Sequence, residues 1–191
     1  MAFLILVTGG ARSGKSGYAL QRAETLGRTR TFIATAPVTD PEMAARIARH
    51  QDERRGRGWR LIEERCDLPA AIERVGRGVI LIDCLTLWVN NLLYQAEGHG
   101  QPSQPFTDFT DDDMNKRCQE LAAACGKHND TVLLVTNEVG MGIVPENALA
   151  RHYRDLIGRA NRLLAAAADE VIFVCCGIPL AIKKKDFYEG A

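Results

Sequence analysis

The chain has 191 residues, of which 46% are hydrophobic and 25% are charged, and its 24 Lys and Arg residues balance 24 Asp and Glu residues. This length and composition predict one globular domain over residues 1–191 and exclude a disordered chain. The zero net charge argues against a nucleic-acid partner, because phosphate-backbone binding needs a clear surplus of Lys and Arg. The balance is uneven, however. Residues 1–65 carry 12 basic and 7 acidic side chains, so we expect the first third to bind an anion.

Targeting and redox signals are weak. The apolar start, Met1–Thr8, has no charged residues ahead of it and stops at Gly9, which is typical of a first strand and not of a signal peptide. No apolar run approaches the roughly 20 residues of a membrane span. The six cysteines form no CxxC pair. We therefore expect a cytoplasmic protein without a membrane span, with reduced and mostly buried thiols.

Short apolar runs alternate with longer segments of helical period. This pattern predicts a mostly parallel sheet covered by helices on both faces. Strands are expected at Phe3–Thr8, Thr31–Thr35, Val79–Asp83, Thr131–Thr136 and Val171–Cys176. Helices are expected at about Lys15–Leu26, Pro41–Arg55 (with Asp40 as N-cap), Leu68–Val75, Leu85–Gln95, Asp111–Lys127 and Glu146–Ala168. A small insertion is expected at about residues 96–110, and Lys183–Lys185 are expected to form a solvated tail.

A glycine-rich motif follows the first predicted strand directly. The residues match G-x-x-x-x-G-K-[ST] and lead into the first predicted helix, the context that a phosphate-binding loop requires: Gly9, Gly10, Ala11, Arg12, Ser13, Gly14, Lys15 and Ser16. Backbone N–H groups and the helix N-terminus would cradle phosphate oxygens. Lys15 would reach the β- and γ-phosphates, and Ser16 would bind Mg²⁺. The alternative is a glycine-rich turn with a chance lysine.

The strand Val79–Asp83 is a run of apolar residues that ends in an acid. In phosphate-loop enzymes an acid at this position helps to hold the metal ion, so Asp83 is a candidate ligand of Mg²⁺. Asp83 could instead cap the following helix. Either role puts it at the carboxyl edge of the sheet, where open α/β folds bind ligands.

The second predicted helix is basic and carries a histidine. Arg46, His50 and Arg54 recur at i, i+4 and i+8 and therefore share one face. A neutral imidazole there can attack an α-phosphate and form a phosphoramidate, while the guanidinium groups stabilise the developing charge. The alternative is a solvated basic face with a surface histidine. The other histidines, His99, His128 and His152, lack comparable neighbours.

Several segments occur together in a characteristic order. They are Gly9–Ser16, Ala34–Ala36, the helix with Arg46 and His50, Trp59–Glu63, and Asn137–Pro145. With these segments the chain resembles, from Leu4 to about Ile182, the bifunctional adenosylcobinamide kinase/adenosylcobinamide-phosphate guanylyltransferase family of cobalamin biosynthesis. The helix with His50 and the Asn137–Pro145 segment are the more specific parts of the resemblance.

The resemblance implies a single P-loop NTPase domain with a RecA-like sheet and two reactions. ATP or GTP would phosphorylate adenosylcobinamide, and GMP would then pass from GTP to that phosphate through His50, releasing pyrophosphate and giving adenosylcobinamide-GDP. Lys15 would assist catalysis. The implied nucleotide contacts are Gly9–Ser16, Ala34, Thr35, Ala36, Gln51, Asp52, Glu53, Arg54, Glu63 and Asp83. The family often has Glu at the position of Asp83 and Lys at that of Gln51. The family also implies a homo-oligomer, such as a trimer.

Two other functions remain open on the sequence. A kinase with one activity would use His50 and its arginines only to bind substrate phosphate. A nucleotide-dependent regulatory module would bind nucleotide without turnover, although no Asn-Lys-x-Asp guanine-reading segment is present. The corrinoid site is equally open, because Trp88, Tyr94 and the Gly140–Val144 loop could either line a groove or serve packing.

Overall fold

The computed structural model describes residues 2–37, 41–96 and 109–185. The strands are β1 (Phe3–Thr8), β2 (Arg30–Ala34), β3 (Trp59–Glu63), β4 (Val79–Asp83), β5 (Thr131–Val135), β6 (Glu170–Cys175) and β7 (Ile178–Lys184). The helices are α1 (Lys15–Leu26), α2 (Pro41–Arg54), α3 (Leu68–Glu73), α4 (Leu85–Ala96), α5 (Asp111–Lys127) and α6 (Ala148–Ala167), with a short 3₁₀ turn at Val139–Met141.

All seven strands form one sheet in the order β3-β2-β4-β5-β1-β6-β7. Every neighbouring pair is parallel except β6 and β7, which are antiparallel. Strand β5 lies between β1 and β4. Its last residue, Val135, pairs with Val7 of β1 on one side and with Asp83 of β4 on the other. The carboxyl ends of β1, β4 and β5 therefore meet at one edge of the sheet.

The sheet is buried on both faces because its central strands are apolar throughout. One core cluster packs α3, α4, α5 and α6 against the sheet around the fully buried Trp88. The other cluster packs Ala19, Leu20 and Ala23 of α1 against Ile5 and neighbouring strand residues on the opposite face. The α/β fold class and the mostly parallel sheet predicted from the sequence are confirmed.

The five predicted strands are present, each within one residue at either end, and the six helices are present with small changes at their ends. Helix α6 begins at Ala148 and not at Glu146, because the Asn147 side chain accepts the N–H groups of Leu149 and Ala150 as N-cap. The predicted cap Asp40 and most of the predicted insertion, residues 97–108 with His99, lie outside the described residues.

Two strands were missed. Strand β3 is mostly exposed at the sheet edge and lacks the continuous apolar run by which buried strands are recognised. Strand β7 begins with the apolar run Ile178–Ile182, but this run is exposed along its whole length and contains Pro179, which is typical of an edge strand. The predicted exposure of Lys183–Lys185 is confirmed, but Lys183 and Lys184 end strand β7 and do not form a free tail. Lys183 Nζ donates to the carbonyls at the end of α6, and Lys185 Nζ donates to Asp169 at 2.7 Å.

The cysteines are all free, but the expectation that most are buried was wrong. Cys118 and Cys125 are buried, whereas Cys175 and Cys176 are exposed at the turn between β6 and β7. Burial raises the pKa of each of the two buried thiols to about 12. Among the described residues, no helix is both long enough and apolar enough to cross a membrane.

Candidate active site

The Gly9–Ser16 loop connects β1 to α1, as the motif requires. Gly9 has φ +151° and Gly14, the N-cap of α1, has φ +92°, so both positions have a backbone that L-residues rarely adopt. The Ser13 N–H donates to the Gly10 carbonyl at 3.3 Å, which closes the loop. This backbone turns toward the N-terminus of α1, which is a favourable position for phosphate oxygens.

Lys15 is buried at the start of α1, and its Nζ donates to the Gly10 carbonyl at 3.0 Å. A buried lysine side chain folded over its own loop holds a positive charge close to the loop backbone. Ser16 follows it and lines a pocket of about 270 Å³ at the carboxyl edge of the sheet. The loop and the pocket are therefore parts of one site.

Asp83 ends β4 and lines the same pocket. The residue after it, Cys84, donates its N–H to the Thr35 hydroxyl, which in turn donates to the Cys84 carbonyl at 2.8 Å. Thr35 thus fixes the chain just beyond Asp83, and its hydroxyl is occupied by these two hydrogen bonds with Cys84. Burial raises the pKa of the Cys84 thiol, which keeps this pocket-lining thiol neutral.

Helix α2 covers the pocket from one side. His50 and Arg54, one turn apart, both line it together with Ile47. The Arg54 guanidinium lies over the Phe32 ring, 3.6 Å from its centre, which is a close cation–π contact. The Arg46 side chain lies outside the described residues, so the predicted three-residue face is described for His50 and Arg54.

The structure brings together six of the predicted site residues around this pocket: Ser16, Ala34, Ala36, His50, Arg54 and Asp83. Other predicted site residues do not line this pocket. Gln51 and Asp52 are exposed, and Asp52 pairs with Arg55 at 2.9 Å. Glu63 is exposed at the end of the outer strand β3 and does not line the pocket. The Glu53 side chain lies outside the described residues.

Sequence reasoning missed several residues that complete the pocket wall: Phe32, Ile47, Cys84, Thr86, Leu87 and Asn137. Asn137 follows β5, and its side-chain amide donates to the Thr86 hydroxyl at 3.1 Å, which joins the ends of two strands. The Thr86 carbonyl accepts the Tyr153 hydroxyl from α6. Burial raises the pKa of Tyr153 to about 12, so this donor stays protonated. The available signals for Asn137 were its position after a buried strand and its place at the start of the Asn137–Pro145 segment.

Glu138 lies directly behind the phosphate loop. Its backbone N–H donates to the Gly9 carbonyl at 3.1 Å, and its carboxylate accepts the Thr8 hydroxyl. The buried Asn161 of α6 donates to both Glu138 Oε1 and the Asn137 carbonyl, and it accepts the Thr136 hydroxyl. A polar network therefore braces the loop from α6. The remaining described histidines serve packing, since His128 bonds the Gly78 carbonyl and His152 bonds the Phe109 carbonyl.

Comparison with known proteins identifies the family of the chain. The family model described as cobinamide kinase / cobinamide phosphate guanyltransferase matches residues 5–182. The chain belongs to this family. It is 46% identical over 182 residues to the bifunctional adenosylcobalamin biosynthesis protein CobU of Salmonella typhimurium, covering 94% of this chain and 99% of that protein. It is 36% identical to the bifunctional adenosylcobalamin biosynthesis protein CobP of Pseudomonas aeruginosa, covering 93% and 96%.

Solved structures show the same fold at low identity. An ATPase from the type III secretion system of pathogenic bacteria aligns with a TM-score of 0.52 at 13% identity, over 91% of this chain and only 51% of that chain. The RadB recombinase aligns with a TM-score of 0.46 at 17% identity, over 90% and 74%. At 13% identity the likeness to the ATPase shows the fold alone, a mostly parallel sheet flanked by helices.

Proposed function

We propose that this chain phosphorylates adenosylcobinamide and then transfers GMP from GTP to the resulting phosphate, with His50 as the carrier of the guanylyl group. The observation that carries this proposal is the shared pocket: His50 and Arg54 of α2 line the same cavity as Ser16 of the phosphate loop and Asp83 of β4. A solvated basic face, the alternative for this helix, would not turn its histidine toward a phosphate site.

The transfer proceeds in two balanced steps. An imidazole nitrogen of His50 attacks the α-phosphorus of GTP, forming a P–N bond as the bond to the bridging oxygen breaks and pyrophosphate leaves. A phosphate oxygen of the phosphorylated cobinamide then attacks the same phosphorus, and the P–N bond breaks to restore the histidine. Arg54, held over Phe32, lies on the pocket wall where it can stabilise charge on the phosphate oxygens.

Phosphate-loop proteins use their nucleotides with a divalent metal ion, and the residues of this site fit Mg²⁺. Ser16 and Asp83, which both carry side-chain oxygen atoms, line the pocket, and Mg²⁺ in nucleotide sites takes one or two protein oxygens together with phosphates and waters. When bound, the ion would neutralise charge on the phosphates. Lys15 supplies a further positive charge from the protein itself, with its Nζ held at the Gly10 carbonyl of the loop.

The exposed loop after β5 supports a corrinoid-binding role. Met141 and Ile143 have 74% and 95% of their surface exposed, and Val144 is also exposed. This apolar loop continues directly from the pocket residue Asn137. Trp88, in contrast, is buried and its indole N–H donates to the Cys66 carbonyl, so it serves packing. A large flat substrate is therefore proposed to lie over the Met141–Val144 loop.

The deciding experiment labels the protein with GTP that is radioactive at the α-phosphate. Wild type should retain acid-labile, base-stable label, as a phosphoramidate does, and His50→Ala should retain none. His152→Ala, at a histidine that does not line the pocket and bonds the Phe109 carbonyl at 3.1 Å, is the matched control and should label normally. Undiminished label on His50→Ala would refute the histidine carrier, and kinase turnover without label would select a single-activity kinase.

Association into a cytoplasmic homo-oligomer, such as a trimer, is part of this proposal. Strand β7 is the edge of the sheet, and Ile178, Leu180 and Ile182 along it are all more than half exposed. An apolar edge strand of this kind favours association and is normally covered. Light scattering at micromolar concentration tests the point, and a monomer at all concentrations would contradict it.

A further inference from the structure

The turn between β6 and β7 presents two neighbouring cysteines on the surface. Cys175 and Cys176 are free and exposed, and their sulfur atoms lie 3.8 Å apart in hydrogen-bond contact. The proposed kinase and transferase steps use neither thiol. The other four cysteines are buried or half-buried, so this pair is the accessible dithiol of the described chain.

The separation of the two sulfurs fits a metal ion better than a disulfide. Two thiolates bound to one tetrahedral Zn²⁺ at about 2.3 Å each lie about 3.8 Å from one another. A disulfide requires sulfurs about 2.05 Å apart and Cα atoms at least about 4.4 Å apart, whereas neighbouring Cα atoms across a trans peptide are only about 3.8 Å apart. A metal ion can therefore bridge the pair without moving the backbone.

The turn between β6 and β7 is a tight two-residue hairpin turn. Cys175 pairs with Ile178 across the hairpin, which leaves Cys176 and Gly177 as the two loop residues. They have φ values of +51° and +79°, and positive φ at both positions is typical of the type I′ turn favoured in tight hairpins. A tight turn of this type holds the two sulfur-bearing residues in a fixed relation.

The same turn contacts the phosphate loop. The Gly177 N–H donates to the Ser13 carbonyl at 2.9 Å. A Cβ added to Gly14 would lie 3.3 Å from Gly177 Cα, and one added to Gly9 would lie 2.3 Å from the Val174 carbonyl oxygen. The loop and the hairpin are thus packed backbone against backbone, and a change at the turn reaches the nucleotide cradle directly.

The geometry points to a binding site for one soft divalent cation, of the Zn²⁺ or Cd²⁺ class, formed by the thiolates of Cys175 and Cys176 and coupled to the phosphate loop. Binding replaces two S–H bonds by two sulfur–metal bonds and releases two protons. Water or small-molecule thiols fill the other coordination positions. No group of three or more His, Cys, Asp or Glu side chains among the described residues could hold a metal, so the affinity rests on these two sulfurs.

The test titrates the full chain with CdCl₂ and follows the ultraviolet sulfur-to-cadmium charge-transfer band. Wild type should bind one ion per chain and release two protons. Cys175→Ser and Cys176→Ser should each weaken binding at least about tenfold, because one thiolate is lost, while the half-buried Cys66→Ser control should bind as wild type does. Because binding releases protons from the two thiols, affinity should rise with pH. No band at a large excess of cadmium, or an undiminished band in the double serine variant, would overturn the site.

Coupling to the loop is measured as GTP affinity with and without cadmium, at saturating Mg²⁺ and without corrinoid. Binding linkage is reciprocal, so cadmium should shift GTP affinity by about threefold or more in wild type and GTP should shift cadmium affinity equally. The shift should vanish in Cys176→Ser, and identical GTP affinities in wild type would overturn the coupling. The cadmium titration needs no turnover, so failure of the proposed enzymatic function would be seen separately, as absent label at His50.

Discussion

The Arg54 guanidinium stacks on the Phe32 ring at 3.6 Å, and both residues line the pocket that also contains His50. This contact joins α2 to the sheet at the site. Because α2 otherwise presents a mostly exposed surface, the stacked pair holds the positive charge of Arg54 at the pocket wall.

Replacing the ring by an aliphatic side chain should therefore weaken nucleotide binding. A cation–π contact of this kind is worth about 0.5–1 kcal/mol when partly exposed, so Phe32→Leu should raise the Kd for GTP by roughly two- to fivefold. The measurement is titration with a fluorescent GTP analogue on folded protein. Phe173→Leu, in a half-buried ring on β6 outside the pocket, is the control. Equal GTP affinity in wild type and Phe32→Leu would show that the stacking does not position Arg54.

Replacement by alanine should be harmful at Gly9 of the loop and stabilising at Gly17 of the following helix. A Cβ on Gly9 would lie 2.3 Å from the Val174 carbonyl oxygen and 2.9 Å from the Ser13 hydroxyl, so Gly9→Ala must displace the loop and should abolish GTP binding. A Cβ on Gly17 in α1 would meet nothing within 4 Å, and Gly17→Ala should raise the unfolding free energy by up to about 1 kcal/mol through helix propensity.

Calorimetric GTP titrations and urea unfolding of the two variants check this pair. A Gly9→Ala variant that binds GTP normally would contradict the close backbone approach, whereas loss of binding in both variants would indicate a general sensitivity of α1.

Much of the fold could be predicted because its central strands are buried on both faces. Val79–Asp83 and Phe3–Thr8 have continuous apolar runs, and the phosphate-loop motif fixes the strand–loop–helix order around Lys15. Strand β7 could not be predicted in this way. Its residues are exposed, and its pairing with β6 depends on a turn at Cys176–Gly177 in which both residues have positive φ. Gly177 is the only common turn residue there, and Cys176 gives no sequence signal for a turn.

The site was predicted only in part. His50, Arg54 and Asp83 were found because their residue types report phosphate and metal chemistry, and the helix period placed the first two on one face. Asn137 was recognised only as the start of the Asn137–Pro145 segment, without a role in the site, and Asn161 lies in no recognisable motif. Their importance depends on β5 lying between β1 and β4, a strand order that sequence periodicity does not determine.

Asp83 should control the dependence of both reactions on the metal ion. Asp83→Asn keeps the shape of the side chain but removes its charge, so the Mg²⁺ concentration for half-maximal kinase activity should rise about tenfold or more. Asp83→Glu, which keeps a carboxylate, should retain most of the activity. Steady-state rates at varied Mg²⁺ give the result, with the exposed Asp155→Asn as control. An unchanged Mg²⁺ dependence in Asp83→Asn would leave Asp83 as a structural residue.

The carboxylate of Asp169 should contribute stability that acid removes. Burial raises its pKa, but the hydrogen bonds from Lys185 Nζ and the Leu4 N–H lower it more, so that the net pKa lies below the ordinary value. A carboxyl with a lowered folded-state pKa stabilises the fold above its unfolded pKa, near 3.9, and loses this contribution as the pH falls through the folded value.

Asp169→Asn should therefore cost about 1 kcal/mol of unfolding free energy at pH 7, and the difference from wild type should shrink below about pH 4. Urea unfolding of both proteins at pH 7 and at pH 3 provides the comparison. A difference of the same size at both pH values would mean that the charge of Asp169 contributes nothing and that only its shape matters.

The exposed loop after β5 allows the corrinoid proposal to be separated from the nucleotide chemistry. Ile143 is 95% exposed, so Ile143→Ser removes apolar surface without opening a cavity and should leave stability within about 0.5 kcal/mol. If the corrinoid lies over this loop, the variant should raise KM for adenosylcobinamide several-fold through the lost apolar contact. Labelling of His50 by GTP should be unchanged, because no corrinoid takes part in that step. Leu26→Ser, at an exposed apolar residue that ends α1 and does not line the pocket, is the matched control. A normal KM in Ile143→Ser, or a loss of GTP labelling in that variant, would assign the loop to something other than the corrinoid.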